Sequence, residues 1–260
     1  MKKAMCYSSL PAKLSVRDRL KLAKDAGLDG IEFPTFDTQQ ETEEVAEIAV
    51  ELGLEVHSVM AGSHWKLPLS STDEDIRLDG VEGIKHAIKV ASWANVTTVL
   101  VVPGVVTEDV SYAAALDLSK KSLREILPTA EEFGVTMALE NVWNKFLLSP
   151  VEFRDYVDSF EHQLIKAYFD VGNILLYGFP HQWIDILGER IVKVHVKDFN
   201  TTKRDFVPLL TGSVDYPRVM NALRGVGYND YLTAELSSYP QYPEQFVRDT
   251  AAHLECIINS

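Results

Sequence analysis

The chain predicts an α/β fold, a single (β/α)8 TIM barrel over residues 1–260, and three observations lead there. It has 260 residues, a usual length for one such barrel. Short β-branched runs alternate with longer amphipathic stretches from end to end, the pattern of repeated βα units and a parallel sheet. Eight units fit that length, which favours a closed barrel over an open doubly wound sheet. No GxGxxG or Walker loop supports a nucleotide-binding fold.

The elements follow in order. Ala4–Tyr7 is a weak first strand. Ser15 caps a helix carrying Leu20, Leu22 and Ala23 and stopped by Gly27. Gly30–Phe33 is the second strand. Thr38–Leu52 is an acidic helix ended by Gly53, and Leu54–Val59 is the third strand. After a polar loop, Asp79–Ala94 is helical and Thr97–Val102 is the fourth strand, closed by Pro103-Gly104. In the second half, Tyr112–Phe133 is a helix ended by Gly134, and Val135–Glu140 a strand. Pro150–Phe160 is a helix with proline in its first turn. Leu164–Asp170 is a strand, Pro180–Leu187 a short helix ended by Gly188, and Ile191–Lys197 a strand. Tyr216–Arg224 is helical, Tyr231–Glu235 is the last strand, and a helix runs from about Pro243 to Ile258.

Composition narrows the function classes. Hydrophobic residues make up 46% of the chain, which suits a packed core. The formal charge of −13 opposes binding to a nucleic acid backbone. A local cluster of Lys and Arg could still hold an anionic small molecule. The two cysteines, Cys6 and Cys256, form no CxxC motif and no disulfide framework. MKKAMCYSSL lacks the apolar stretch of a signal peptide. No apolar run approaches the ~18 residues of a membrane span. A cytoplasmic location is expected, and assembly into a homo-oligomer stays open.

In a barrel of this kind the active site lies at the C-terminal ends of the strands. Four successive strands of the second half bring a polar residue there. VTMALE ends at Glu140, IKAYFD at Asp170 and YLTAE at Glu235, and IVKVHVKD carries His195. A carboxylate ending an apolar strand costs desolvation energy unless it is paired or bound to a metal. Each residue alone has a plainer reading: a rim glutamate, an Asp170 that caps the turn at Gly172-Asn173, a core histidine. Four together point to one divalent cation. Three carboxylates and an imidazole suit Mn²⁺, Mg²⁺ or Co²⁺, and Zn²⁺ is compatible.

Weaker candidates surround these four. Lys197 shares the inward face with His195 and reads either as a substrate contact or as a barrel salt bridge. His64 and Trp65 follow the third strand, and His64 is taken as a substrate contact. His57 is expected inside the barrel. Lys203, Arg204 and Gly212-Ser213 follow strand seven, where barrels often hold phosphate; a solvated charged loop is the competing reading. His86, His162, His181 and His253 fall on helices or their edges, and Trp93 and Trp183 read as helix–barrel packing.

The segments ALENVWNKF, YFDVGNILLYG, VHVKDFN, FVPLLTGSVDYPRVMNAL and TAEL resemble the sugar-phosphate isomerases and epimerases of the xylose-isomerase-like TIM-barrel superfamily. HSVMAGSHWKLPLSSTD extends the resemblance, closest to the L-xylulose 5-phosphate 3-epimerases and hexulose-6-phosphate isomerase-like proteins. It implies that Glu140, Asp170, His195 and Glu235 hold the metal. It also implies that Glu140 and Glu235 are the acid/base pair, moving a proton α to a carbonyl through an enediolate. The substrate would be a small ketose or ketose phosphate, contacted by His64, Lys197, Asn173, Trp143 and Arg204. The ketohexose branch carries His where this chain has Asn173, and a further Glu that Val142–Phe146 lacks; both differences favour the phosphosugar branch. An inosose-type dehydratase shares the four-ligand pattern and stays open. An AP endonuclease needs more ligands and a basic surface. A non-catalytic sugar-binding protein would need no metal flanked by two glutamates.

Overall fold

The computed structural model describes residues 1–260. Ten strands and nine α-helices follow one another along the chain: β1 (Lys2–Cys6), α1 (Val16–Asp25), β2 (Gly30–Pro34), α2 (Gln39–Glu51), β3 (Glu55–Met60), α3 (Glu74–Trp93), β4 (Thr98–Val101), α4 (Tyr112–Phe133), β5 (Thr136–Glu140), α5 (Pro150–Asp158), β6 (Ile165–Asp170), α6 (Val171–Ile174), α7 (Pro180–Leu187), β7 (Ile191–Val196), β8 (Asp198–Asn200), β9 (Asp205–Val207), α8 (Tyr216–Gly225), β10 (Tyr231–Ala234) and α9 (Pro243–Ile258). Eight strands close into a barrel in the order β1-β10-β7-β6-β5-β4-β3-β2, every neighbour parallel. The predicted (β/α)8 architecture is the observed one. No helix is long and apolar enough to cross a membrane.

Side chains alternate across each strand, and this divides the interior in two. Ile31, Phe33, Val194 and Val196 point outward into the apolar layer under the helices. Glu32, His195 and Thr233 point into the barrel. Leu100, Val102, Ala138, Val142 and Tyr168 form a smaller apolar patch there. The barrel is thus apolar beside β4–β6 and polar beside β1–β3, β7 and β10.

Register shifts in β3 and β7 sharpen that division. On β3 the pairing passes from Ile31↔Val56 to Glu32↔Ser58, skipping His57. Such a bulge re-aims side chains, and both His57 and Ser58 reach inside. His57 Nε2 lies 3.1 Å from Thr233 Oγ1, and Ser58 donates to Glu32 Oε1 at 2.8 Å. His57 also stacks on Tyr231, with ring centroids 4.3 Å apart. It sits inside the barrel as expected.

Several sequence expectations shift in detail. The first strand starts earlier, at Lys2, and Tyr7–Ser9 forms a 3₁₀ turn. The third helix begins at Glu74, five residues before the expected start, because Asp73 caps it by accepting from the N–H groups of Asp75 and Ile76. The seventh and last strands each end one residue sooner, so Lys197 and Glu235 lie just beyond their strands. The antiparallel hairpin β8–β9 was not expected. Its strands are three residues long, too short for alternation to show. Trp183 packs against Phe153 and Phe169 as expected, and His86 faces Trp93 edge-on.

Candidate metal centre and acid–base site

Glu140, Asp170, His195 and Glu235 converge at the C-terminal mouth. One ligand atom from each lies within 4.8 Å of all the others. His195 Nδ1 is 3.1 Å from Glu140 Oε1 and 3.1 Å from Glu235 Oε2. Lys197 Nζ stands 3.1 Å from Asp170 Oδ2 and 2.5 Å from Glu235 Oε2. The barrel salt bridge was one of the two readings open for Lys197, and it is the contact observed.

The neighbouring amides fix the ends of β5 and β6. Asn141 accepts from the Asp170 N–H and donates to the Asp170 carbonyl, both at 2.8 Å. Asp170 Oδ1 accepts the Asn173 N–H at 2.7 Å, the turn-capping role foreseen as its plainer reading. That leaves Oδ2 facing the cluster. Asn173 donates its side-chain N–H to the Asn141 carbonyl at 3.0 Å, and Trp143 Nε1–H donates to the Asn173 carbonyl at 2.9 Å. Asn173 and Trp143 therefore brace the strand ends. Trp143 also stacks on Phe206 of the β8–β9 hairpin at 4.8 Å.

The donor set fits a divalent cation. Asp170 Oδ2 and Glu235 Oε2 are buried and share one ammonium, that of Lys197, with the His195 imidazole beside Glu235. Three buried carboxylates gathered around one ammonium carry more negative charge than it balances, and a divalent cation would offset the rest. Three carboxylates with one imidazole suit a hard or borderline ion.

The two glutamates titrate far apart. Burial pushes the Glu140 carboxyl up to about 7, against the hydrogen bond and charge of His195. Glu235 is also buried, yet His195 and Lys197 hold it well below the usual carboxylate range. Burial raises Asp170 as well, despite Lys197. Lys197 is pushed up, because Asp170, Glu235 and Glu140 outweigh the cost of burying it.

Of the other candidates, His64 reaches the mouth. Its Nδ1 lies 2.8 Å from the Ala61 carbonyl, and its ring feels the charges of Glu235 and Lys197. Arg204 does not join the cluster. It sits exposed at the turn between β8 and β9, with φ 57° and no side-chain partner; the solvated-loop reading describes it. Residues missed from the sequence include Glu32, which contacts His195 Nε2 at 2.7 Å. Its signal was a charged side chain between Ile31 and Phe33 in the middle of an apolar strand. Attention to strand ends passed over it, and also over Asn141.

Gly172 makes a tight approach behind the site. A Cβ there would stand 2.6 Å from Lys197 Cβ and 2.8 Å from the Lys197 carbonyl. Gly172→Ala is expected to cost about 1–3 kcal/mol by overpacking, read as a lower denaturant midpoint. An unchanged midpoint would show that the Lys197 backbone yields freely.

Residues 20–256 match the model of the xylose isomerase-like TIM barrel family. The chain belongs to that family. It is 28% identical over 235 residues to the L-ribulose-5-phosphate 3-epimerase UlaE of Escherichia coli O1:K1, covering 85% of this chain and 81% of the relative. Among solved structures, it resembles the 3-keto-D-glucoside 4-epimerase YcjR from E. coli in its apo form. The TM-score there is 0.84 at 19% identity, covering 98% of this chain and 99% of that one. It also resembles the IOLI protein, solved with a bound zinc atom, with a TM-score of 0.84 at 20% identity over 100% and 98% of the two chains. Relatives by sequence are named epimerases, a kind of isomerase, and this chain is an enzyme of that class.

Proposed function

We propose that this protein is a divalent-metal-dependent 3-epimerase of a ketose phosphate, with Glu140 and Glu235 as its acid/base pair. The observation that carries this is the convergence of those two carboxylates, each 3.1 Å from His195 Nδ1, from strands on different parts of the barrel wall. They come from strands separated by two others, so they approach a small ligand from different sides. The likeness to a sugar-phosphate 3-epimerase supports the choice of reaction and substrate. Glu140, Asp170, His195 and Glu235 would hold the metal, in keeping with ligand atoms that lie within 4.8 Å of one another. When bound, it supplies Lewis-acid stabilisation of negative charge on the substrate oxygens.

The residues then have separate tasks. Glu235, held ionised, removes the proton from the carbon next to the carbonyl. The electron pair of that C–H bond moves onto the carbonyl oxygen and forms an enediolate. Lys197 keeps positive charge beside the developing anion. Glu140, whose carboxyl titrates near neutrality, delivers a proton to the opposite face, and the configuration inverts. Return of a proton to the adjacent carbon by one glutamate would instead give aldose–ketose isomerisation. Product identity from a panel of ketoses and ketose phosphates with added Mn²⁺ tests the reading. A 3-epimer is expected, and a dehydrated or aldose product would overturn it.

A lysine free of carboxylate partners is a ready contact for a phosphate at the mouth. One lobe of the mouth, about 660 Å³, is lined by Ser8, Lys197, Asp205, Phe206 and Glu235, where the lysine is already held by carboxylates. The other, about 680 Å³, is lined by Glu32 at its floor and by Thr35, Ser63, Trp65 and Lys66; Glu32 is bonded to Ser58, Cys6 and His195, and Lys66 has no carboxylate partner. We place the phosphate in this second lobe. Lys66→Met is expected to raise KM for a ketose phosphate about tenfold, the lower range for a charge-assisted hydrogen bond, and to leave KM for the free ketose unchanged. Equal effects on both substrates would remove the phosphate from this lobe.

A further inference from the structure

Beneath the four-residue cluster lies a second group of side chains that the proposed reaction does not use. Cys6, Glu32, His57, Ser58 and Thr233 fill the polar half of the barrel, all 5% exposed or less. Their hydrogen bonds run in one direction. Ser58 has one proton and donates it to Glu32 Oε1 at 2.8 Å. Its oxygen must therefore accept from His57 Nδ1–H, 3.0 Å away. With that proton on Nδ1, His57 Nε2 accepts the Thr233 hydroxyl proton at 3.1 Å. On the other side, Glu32 Oε2 accepts the Cys6 thiol at 3.2 Å and His195 Nε2–H at 2.7 Å. A carboxylate has acceptors only, so the proton shared with His195 belongs on Nε2. With a cation bound, the ring would give up its other proton and present a lone pair on Nδ1, the atom facing Glu140 and Glu235.

We propose that Glu32 is the positioning residue of the metal centre: fastened by Ser58 and Cys6, it fixes the tautomer and ring orientation that present His195 Nδ1 to the cation. Carboxylates behind a ligating histidine commonly hold it this way, and their loss weakens metal binding about 10–100-fold. The ligand atoms of Cys6, Glu32 and His195 also lie within 4.8 Å of one another, so the group could itself hold an ion. The hydrogen bonds argue for positioning. Both Glu32 oxygens are bonded. This inference rests on the metal reading of the four-residue cluster.

The test compares the wild type with Glu32→Gln. It reads Mn²⁺ affinity by chelator competition, Co²⁺ stoichiometry, the visible Co²⁺ spectrum, and melting of the metal-free proteins. Glu32→Gln is expected to weaken Mn²⁺ binding about 10–100-fold and to alter the Co²⁺ ligand-field bands, while the metal-free protein still melts cooperatively. Should that variant fail to fold, Ser58→Ala removes one donor to Glu32, and a several-fold loss in the same direction is expected. Unchanged affinity with an unchanged spectrum overturns the positioning role alone, provided the wild type binds the metal. Two Co²⁺ per chain, with a thiolate charge-transfer band that Cys6→Ser removes, overturns it in favour of a second metal site. A wild type that binds neither ion overturns both this role and the metal reading beneath it.

Discussion

Replacing Glu140 or Glu235 by glutamine is expected to lower kcat for epimerisation by about 10³-fold, within the range for losing a general acid or base. That corresponds to about 4 kcal/mol of transition-state stabilisation. The amide keeps the size of the side chain and removes its ability to carry a proton. Both residues are also proposed ligands, so metal occupancy has to be measured alongside. Asp170→Asn separates the two roles. Asp170 contributes Oδ2 to the cluster and has no part in the proposed proton transfer, so excess Mn²⁺ should restore much of that variant's activity. The same excess should not rescue either glutamine variant. Solvent deuterium gives a second readout. Each variant should exchange only the epimer whose proton faces the surviving glutamate, and neither should interconvert the epimers. A variant that epimerises at the wild-type rate would show that its glutamate moves no proton.

Removing the metal is expected to abolish activity, with recovery on adding Mn²⁺, and to lower stability in a pH-dependent way. At a free concentration one hundred times Kd, bound metal stabilises the folded protein by about 2.7 kcal/mol. Without it, the buried Glu140 titrates at about 7 when folded and in the usual carboxylate range when unfolded. Between those values the unfolded chain binds fewer protons than the folded one. The contribution of Glu140 to the stability of the metal-free protein therefore falls as pH rises toward 7. Protons and metal compete for the same carboxylate, so metal affinity rises over that window. Thermal melts with and without Mn²⁺ should show a larger metal-induced gain at pH 7.5 than at pH 5.5. A gain that is constant or larger at pH 5.5 would show that Glu140 is not a ligand.

Much of this protein was legible in the sequence. The alternation of β-branched runs with amphipathic stretches is local, and it led to the barrel and to the order of its parts. Glu140, Asp170, His195 and Glu235 were found because each closes or nearly closes an apolar strand, and parallel strands bring their C-terminal ends to one rim. Where local signals were thin the reading slipped: the third helix starts on an Asp73 cap inside a polar loop, and the hairpin has strands of three residues.

The tertiary structure decided the rest. Glu32 and His195 are 163 positions apart, and their contact exists only because the barrel closes. The bulge that lets both His57 and Ser58 reach the barrel interior is a matter of register between β2 and β3, which no single strand encodes. Lys197 could have met substrate or carboxylate; packing brought its ammonium between Asp170 and Glu235. Arg204 looked like a phosphate contact by its place after strand seven, and the hairpin turned it out to solvent. Periodicity and strand ends are properties of neighbours along the chain. Hydrogen-bond partners, and the environments that separate Glu140 from Glu235, belong to residues that meet only after the barrel has formed.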